Sequence, residues 1–469
     1  MGDGIQPPQG KRGSKFPEKR EEIAVVELLN KYLFGVAVPV MLIACGIFFC
    51  FRLRFFHVFK FGKVIKTLTE KREGEGTSPA GAVCLALSGT LGVGNIVGVS
   101  AAIAMGGFGA VFWMWISAFA AMLLKYAEIV LAMRYRRYEA KKGYYGGAMY
   151  YIRDFLEGRG LSRLGRYVAG AFAVLCLFNA LTMGSMVQMS AVGEALCGVW
   201  NIPPALSCGL LALCLGGLMI KGRRGILKAT ELLVPIMTLG YIVLSVAVMW
   251  VRRDSLWEAF LLIFKEALTP LSAASGVGGA LLSGAVRYGV MRGIVSNEAG
   301  CGTAPAAHAV SNCKEPAAQG VWGIFEVFAD TILLCTMTAV SVILGYSEAE
   351  EYGRAGDFMM MTISAYGSVL GRSAAFFLGA AVLFFGFATV LCWAHYGMEC
   401  VEYFSRRRVA RRAFGVIYTT SAFLGAYISA ESLWQLTDLA VGGMTLVNLV
   451  FLVLMSKEVK KETEEYFNS

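Results

Sequence analysis

The chain has 469 residues, of which 57% are hydrophobic and only 16% carry charge. Soluble globular proteins have about 25% charged residues, so this composition excludes an ordinary soluble enzyme or binding domain. The formal net charge of +10 could suggest a nucleic-acid partner. We assign the excess to cytoplasmic loops, because Lys and Arg concentrate there in membrane proteins. We therefore expect a lipid bilayer around the chain, no nucleic-acid ligand and no obligate protein partner.

Apolar segments follow one another along the chain after a polar leader at residues 1–32. About eleven of them approach the length that a helix needs to cross a bilayer. No small-residue cleavage site follows the first, so we expect a retained accessory helix and not a signal peptide. A cytoplasmic tail is predicted at 456–469. The predicted spans are 33–51, 78–104, 108–133, 168–197, 204–220, 230–250, 270–293, 318–345, 373–403, 413–428 and 432–455.

Positive charge alternates between successive loops. The loops after the first, third, fifth and ninth spans are rich in Lys and Arg, whereas the loop at 347–371 is acidic. Basic loops face the cytoplasm, so the N-terminus is predicted outside and the C-terminus inside. The leader opposes this assignment, because it is basic at positions 11, 12, 15, 19 and 20. The consistent bias of four loops outweighs it.

Residues that would indicate catalysis are sparse. The 12 cysteines are scattered and the chain has three histidines, so a His-rich metal site is excluded. We interpret the cysteines as small apolar residues in packed helices. We find no nucleophile–base pair with a typical spacing and no repeated filter motif. The sequence therefore predicts neither an intramembrane enzyme nor a channel, and no resident cofactor.

Two glycine-rich stretches interrupt the second and seventh spans. The first reads SGTLGVGN over 88–95 and the second ASGVGG over 274–279. Each glycine disfavours helix by about 0.8–1 kcal/mol relative to alanine. Unwound backbone cannot face lipid, so these breaks must line a cavity. Close helix packing by small residues is the alternative, and it explains Gly278 and Gly279 more easily than Gly94 and Asn95.

The two breaks occupy corresponding places in two halves of the chain. Spans two to six (78–250) and seven to eleven (270–455) form two five-helix units, each of which opens with a broken helix. The first unit begins inside and the second outside, so the repeats are inverted. Such a pair of breaks is typical of a midplane site in secondary transporters. Helix N-termini there suit a carboxylate, and free carbonyls and hydroxyls suit a small cation.

Several motifs closely resemble the alanine or glycine:cation symporters of bacteria and archaea. The most specific stretch is RYGVMRGIVSNEAGCGTAP at 287–305. GGFGAVFWMW at 106–115, KYAE at 125–128, GGAMYYI at 146–152 and MVQ at 186–188 also match. The resemblance implies an all-α, LeuT-type 5+5 inverted repeat with one extra N-terminal helix. It also implies import of a small neutral amino acid with Na⁺, or with H⁺, across the bacterial or archaeal inner membrane.

The resemblance also implies which residues line the substrate site. Gln188 stands mid-span, where an amide needs a partner, and Thr389 and Trp393 share one helix face. A sodium ion would lie between carbonyls of Gly89 and Leu91 and the hydroxyl of Thr389. The implied substrate contacts are Thr90, Gly92, Gly94, Asn95, Gln188, Ser275, Gly276, Val277, Gly278, Thr389 and Trp393.

Two departures from the family pattern concern selectivity. Val277 stands where the family commonly has phenylalanine, and Ala388 stands where it usually has serine. The first change would widen the pocket, and the second removes a hydroxyl from the implied cation site. The alternative function is therefore a carrier of the same fold for a larger amino acid, such as serine or glutamine, that is coupled to protons or exchanges substrates.

Ionisable residues inside predicted spans are functional candidates. The three-residue spacing of Lys125 and Glu128 predicts an ion pair on one helix. Asp330 is predicted either to stabilise the nearby second break or to relay protons. Arg292 and Glu298 are candidates for an intracellular gate.

Overall fold

The computed structural model describes residues 37–70, 76–140, 142–268, 284–428 and 430–468. The predicted leader and the second predicted break, at 274–279, lie outside these residues. The described chain is almost entirely helical. Its helices are α1 (Val38–Arg52), α2 (Phe56–Phe59), α3 (Phe61–Thr69), α4 (Pro79–Thr90), α5 (Gly94–Gly106), α6 (Ala110–Tyr135), α7 (Ala148–Glu157), α8 (Ser162–Trp200), α9 (Pro204–Ile220), α10 (Arg223–Val251), α11 (Arg253–Ala267), α12 (Gly284–Asn297), α13 (Ala304–His308), α14 (Pro316–Leu344), α15 (Tyr346–Arg354), α16 (Phe358–Leu370), α17 (Arg372–Phe404), α18 (Arg408–Leu424), α19 (Ala430–Leu454) and α20 (Ser456–Asn468).

Helices cover the predicted spans to within a few residues wherever the chain is described. Six of them are long and apolar enough to cross a membrane, and the bent pair α4–α5 makes a seventh. Helices α1, α9 and α16 are apolar but shorter. The acidic loop expected at 347–371 instead contains α15 and α16. The latter has 13 residues, too few to cross a bilayer, so apolar length alone could not reveal it.

The interruption predicted in the second span is confirmed. Helix α4 starts on Pro79, with Ser78 Oγ accepting the Gly81 N–H at 3.0 Å. It ends at Thr90, and the axis of α5 is bent by 55° from that of α4. Between them the Gly92 N–H bonds to the Thr90 carbonyl at 2.9 Å, in place of a helical partner four residues back. Glycine permits this local unwinding because it has no β-carbon.

Helix α6 is the most enclosed of the membrane-spanning helices. Of its most apolar 18 residues, 89% are buried within the protein, against 28% for α10. It packs against α1, α12 and α14, whereas α10 exposes Leu232, Ile236 and Leu239. Helix α17 is the centre of another packed group of helices, because it packs against α4, α8 and α10. Helix α12 also packs on α5, and α14 and α16 contact the start of α5, so the first break is bordered by these helices as well as by α17.

Two smaller features lie outside the long helices. A two-stranded antiparallel sheet pairs β1 (Arg137–Glu139) with β2 (Gly143–Tyr145), with Tyr138 opposite Tyr144. The predicted tail is helical (α20) and packs on α6 and α14. Tyr126 and Thr463 hydroxyls lie 2.8 Å apart across that contact.

Candidate functional site

Three of the predicted contact residues meet at the first break. A β-carbon on Gly92 would lie 2.7 Å from Thr389 Oγ1 and 3.4 Å from Gln188 Oε1. The break of α4–α5 therefore faces α8 and α17 directly. Each of these long helices supplies one polar side chain at this point, and both side chains are buried. Glycine at 92 is what allows the backbone to approach them.

Three of the predicted contact residues carry a buried polar atom that has no hydrogen-bond partner among the described residues. They are Thr90 Oγ1, Gln188 Oε1 and Trp393 Nε1. The other end of the Gln188 amide donates to the Met183 carbonyl at 3.4 Å, which is a long bond. Buried polar groups in native proteins are nearly always paired. Of these atoms, Gln188 Oε1 lies beside Gly92, and it indicates a place for a polar ligand.

The other predicted contact residues of the first break and of α17 do not meet at this point. Gly89 packs closely on α17, where an added β-carbon would lie 2.8 Å from Cys392 Sγ. Gly94 has open space where its β-carbon would be, as far as the described residues show. Trp393 packs on Gly184 of α8, one turn beyond Thr389. Leu91 is fully buried. Ser275, Gly276, Val277 and Gly278 lie outside the described residues.

Asn95 connects the break to a second polar centre. Its Oδ1 accepts the Gly92 N–H at 3.2 Å, and its Nδ2 donates to Asp330 Oδ1 at 2.5 Å. The other oxygen of Asp330 accepts from Ser296 Oγ and from Thr331 Oγ1, each at 2.7 Å. These residues come from α5, α12 and α14 and are buried. The sequence singled out Asp330 but missed Ser296 as its partner.

The network continues from this centre toward the end of α12. Asn297 Nδ2 donates to Thr331 Oγ1 at 3.2 Å, and Lys125 Nζ donates to the Asn297 carbonyl at 2.9 Å. Lys125 also lies 3.0 Å from Glu326 Oε1. The predicted ion pair between Lys125 and Glu128 is therefore wrong. Glu128 instead accepts hydrogen bonds from Gly302 and Asn448. Lys125 of α6 and Glu326 of α14 face each other where these two helices pack together, and both side chains are buried.

The turn after α12 explains the density of glycine in the 287–305 motif. Glu298, Gly300 and Gly302 all have left-handed backbone conformations, with φ of 51°, 85° and 82°. Glu128 Oε1 fastens this turn by accepting the Gly302 N–H at 2.8 Å and the Asn448 amide at 2.5 Å. Only glycine adopts such conformations freely. The motif therefore encodes a fixed turn at the C-terminal end of α12.

Known proteins match the chain along nearly its whole length. The sequence profile of the sodium:alanine symporter family matches residues 20–469. The sodium/alanine symporter AgcS of Methanococcus maripaludis is 32% identical over 449 residues, which cover 95% of this chain and 97% of that protein. A putative sodium/proton-dependent alanine carrier of Bacillus subtilis is 32% identical over 457 residues, which cover 94% of this chain and 92% of that protein. A probable sodium/glutamine symporter of the same species is 31% identical over 447 residues, which cover 94% of this chain and 90% of that protein.

Among solved structures, the crystal structure of MhsT in complex with L-phenylalanine has the same fold. The TM-score is 0.54 at 14% sequence identity, over 84% of this chain and 93% of that one. The predicted LeuT-type architecture is therefore confirmed. The relatives are carriers and not enzymes. The chain belongs to the sodium:alanine symporter family and is a multi-pass membrane protein that transports amino acids together with a cation.

Proposed function

We propose that the protein imports a small neutral amino acid of the alanine or glycine class together with Na⁺. The observation that supports this most is the unpaired, buried Oε1 of Gln188 beside the break at Gly92. Thr90 Oγ1 and Trp393 Nε1 are further buried atoms without a partner among the described residues. A zwitterion offers both a donor and an acceptor to such atoms. Helix α5 begins at Gly94, and the N–H groups of the next three residues already bond to the carbonyls of Gly92 and Val93. The substrate carboxylate would approach the positive end of this helix, at Gly94.

The side walls set the orientation of the substrate in this proposal. Gln188 Oε1 would accept from the substrate ammonium group, and Thr389 and Trp393 would limit the side chain. Asn95 would act through the Gly92 N–H that it holds. Ser275, Gly276, Val277 and Gly278 would complete the opposite wall. The printed names of relatives include both alanine and glutamine carriers, so a larger substrate, such as serine or glutamine, is the second candidate.

The coupling ion in this proposal is Na⁺, in keeping with the name of the family. Carbonyls of Gly89 and Leu91 with the Thr389 hydroxyl are one candidate set of ligands, since hard cations prefer oxygen. Thr389 Oγ1 donates to the Phe385 carbonyl at 3.0 Å, which leaves its lone pairs available. A proton or an exchanged substrate is the alternative, because one relative is named as sodium/proton-dependent.

We also propose the placement in the membrane. The five-helix units at 78–250 and 270–455 would form the two inverted repeats, with the segment at 33–51 as an accessory helix. The N-terminus would lie outside and the C-terminus in the cytoplasm of the inner membrane, as the basic loops indicate.

Purified protein in liposomes tests the proposed function. Labelled alanine, glycine, serine and glutamine are offered under an inward Na⁺ gradient or an inward H⁺ gradient. We expect uptake of alanine or glycine that requires Na⁺ and withstands a protonophore. Uptake that ignores Na⁺ and collapses with the protonophore would support the proton-coupled alternative. A strict preference for glutamine would support the larger pocket.

A further inference from the structure

A cavity with basic walls lies where α1 ends. It has a volume of about 140 Å³ and is bordered by the turn after α1 on one side and by α20 on the other. A water molecule needs about 10–15 Å³ of such space, so the cavity has room for a group as large as a phosphate. Arg52, Arg54 and Lys60 line the first wall, and Lys460 lines the second. Four cationic side chains therefore converge on one space.

Acidic side chains balance only part of this positive charge. Among the described residues that line the cavity, Glu464 carries the one carboxylate, and it lies 3.5 Å from Lys460. Lys60 Nζ donates instead to neutral acceptors, the Asn468 amide oxygen at 3.0 Å and the Phe467 carbonyl at 3.4 Å. The cavity therefore keeps an excess of positive charge, and both of its walls would attract an anion.

Arg52 has a buried donor that no atom of the described chain accepts. Its Nε has no hydrogen-bond partner there, although buried polar groups in native proteins are nearly always paired. The chain then reverses through Arg54 and Phe55, whose φ angles of 55° and 49° are uncommon for residues other than glycine. This reversal brings both guanidinium groups to the same cavity. Because the planar fork of arginine matches the oxygens of a phosphate, an oxyanion would satisfy these donors.

Exposed phenylalanines stand next to these basic residues in the chain. Phe51, Phe59 and Phe61 have 70%, 80% and 62% of their surface exposed, and Phe59 also lines the cavity. Helix α1 is apolar, and amphipathic and basic side chains at the end of such a helix lie at the level of the lipid headgroups. Acyl chains can cover the phenylalanines there, whereas water would leave them exposed. The oxyanion that fits this setting is therefore the phosphate of a phospholipid.

We propose that this cavity binds the headgroup of an anionic phospholipid, and that the lipid holds α20 against the end of α1. Anionic lipids attract Lys and Arg at the membrane surface. The rings of Phe56 and Phe467 already lie 4.7 Å apart across the same contact, and α20 also packs on α6 and α14. A phosphate between Arg52 and Lys460 would therefore fasten the tail to the membrane-spanning helices. The proposal does not depend on which amino acid or ion the protein carries.

Lipid titration of the purified full-length protein in neutral detergent tests the site apart from transport. Phosphatidylglycerol is added, bound lipid is counted by native mass spectrometry, and thermal unfolding measures the stabilisation. Phosphatidylcholine, which has no net charge, and inorganic phosphate are titrated in parallel. We expect phosphatidylglycerol to bind and to raise the Tm, and the other two to do neither at the same concentrations.

Variants on both walls of the cavity should weaken this binding. Arg52→Gln combined with Arg54→Gln removes two charges from the first wall, and we expect the affinity for phosphatidylglycerol to fall at least about tenfold. Lys460→Gln removes one charge from the second wall and should weaken binding by a smaller factor. It also serves if the double variant does not fold, because Lys460 is only half-buried.

Arg407→Gln combined with Arg412→Gln is the matched control. Both arginines are exposed and lie outside the cavity, so the control removes the same charge elsewhere, and we expect it to keep wild-type affinity. The inference is wrong if the variants on both walls bind phosphatidylglycerol as the wild type does. An equal loss in the control would also overturn it, since overall charge would then cause the binding. Inorganic phosphate that binds as tightly as the lipid would overturn the assignment to a phospholipid.

Discussion

Lys125 of α6 and Glu326 of α14 form an ion pair 3.0 Å long with both side chains buried. His308 bonds to the same carboxylate at 3.1 Å, and Gln319 donates to the other ring nitrogen of His308 at 3.0 Å. The charges therefore sit in a continuous chain of polar contacts. Such a pair contributes little to stability as a whole, but breaking it leaves a buried charge without a partner.

Replacing Glu326 with glutamine should destabilise the protein strongly. The change leaves Lys125 charged and buried, and the typical cost of such a change is about 3–5 kcal/mol. Thermal unfolding in detergent, compared with the wild type, measures it. The control is Glu350→Gln, because Glu350 pairs with Arg354 at 2.7 Å on the surface. Exposed pairs contribute below about 1 kcal/mol. Equal effects of the two variants would contradict the importance of burial.

Gly92→Ala should abolish most transport and leave the fold intact. The added methyl group would lie 2.7 Å from Thr389 Oγ1 and 3.4 Å from Gln188 Oε1. Overpacking of this kind costs about 1–3 kcal/mol, enough to weaken substrate binding by roughly tenfold or more. Gly217→Ala is the control, because nothing lies within 4 Å of its β-carbon position. Uptake assays on both variants decide the matter: normal transport by Gly92→Ala would refute a substrate site at this break.

Gln188→Ala tests whether the unpaired Oε1 contacts the substrate. A hydrogen bond to a charged group contributes about 1.5–3 kcal/mol, so we expect the KM for uptake to rise at least about tenfold. Thr230→Val is the control, since Thr230 is buried and its hydroxyl donates only within its own helix, to Leu227, at 3.0 Å. The same KM in Gln188→Ala and wild type would exclude this contact. A lower maximal rate with unchanged KM would assign Gln188 to a conformational step.

The first break could be predicted from sequence because its causes are local. Gly92, Gly94 and Asn95 stand together in an otherwise apolar span, and their low helix propensity acts within a few residues. The span boundaries were predictable for the same reason. Gln188 and Asp330 could be recognised as polar groups that are unfavourable inside an apolar span. Their hydrogen-bond partners could not be predicted from the neighbouring sequence. The roles of Thr389 and Trp393 came from family resemblance and stay predictions.

The pairings between distant segments could not be predicted. Spacing on one helix favoured Glu128 as the partner of Lys125, yet the partner is Glu326, about two hundred residues away in sequence. Ser296 reaches Asp330 only because α12 and α14 lie side by side. Helix α16 was missed because its apolar stretch is short and follows an acidic segment. In each case the deciding contact depends on tertiary packing.

The buried contacts of Lys125 and Asp330 have a consequence for alternating access. They join α5, α6, α12 and α14 through side chains that water does not reach. Separating two helices that share one of these contacts would leave a buried charge, or buried hydrogen-bond donors, without a partner. We therefore expect the four helices to turn as one rigid body against α8 and α17. The gap that opens and closes would then lie along the seam between Gly92 on one side and Gln188 and Thr389 on the other.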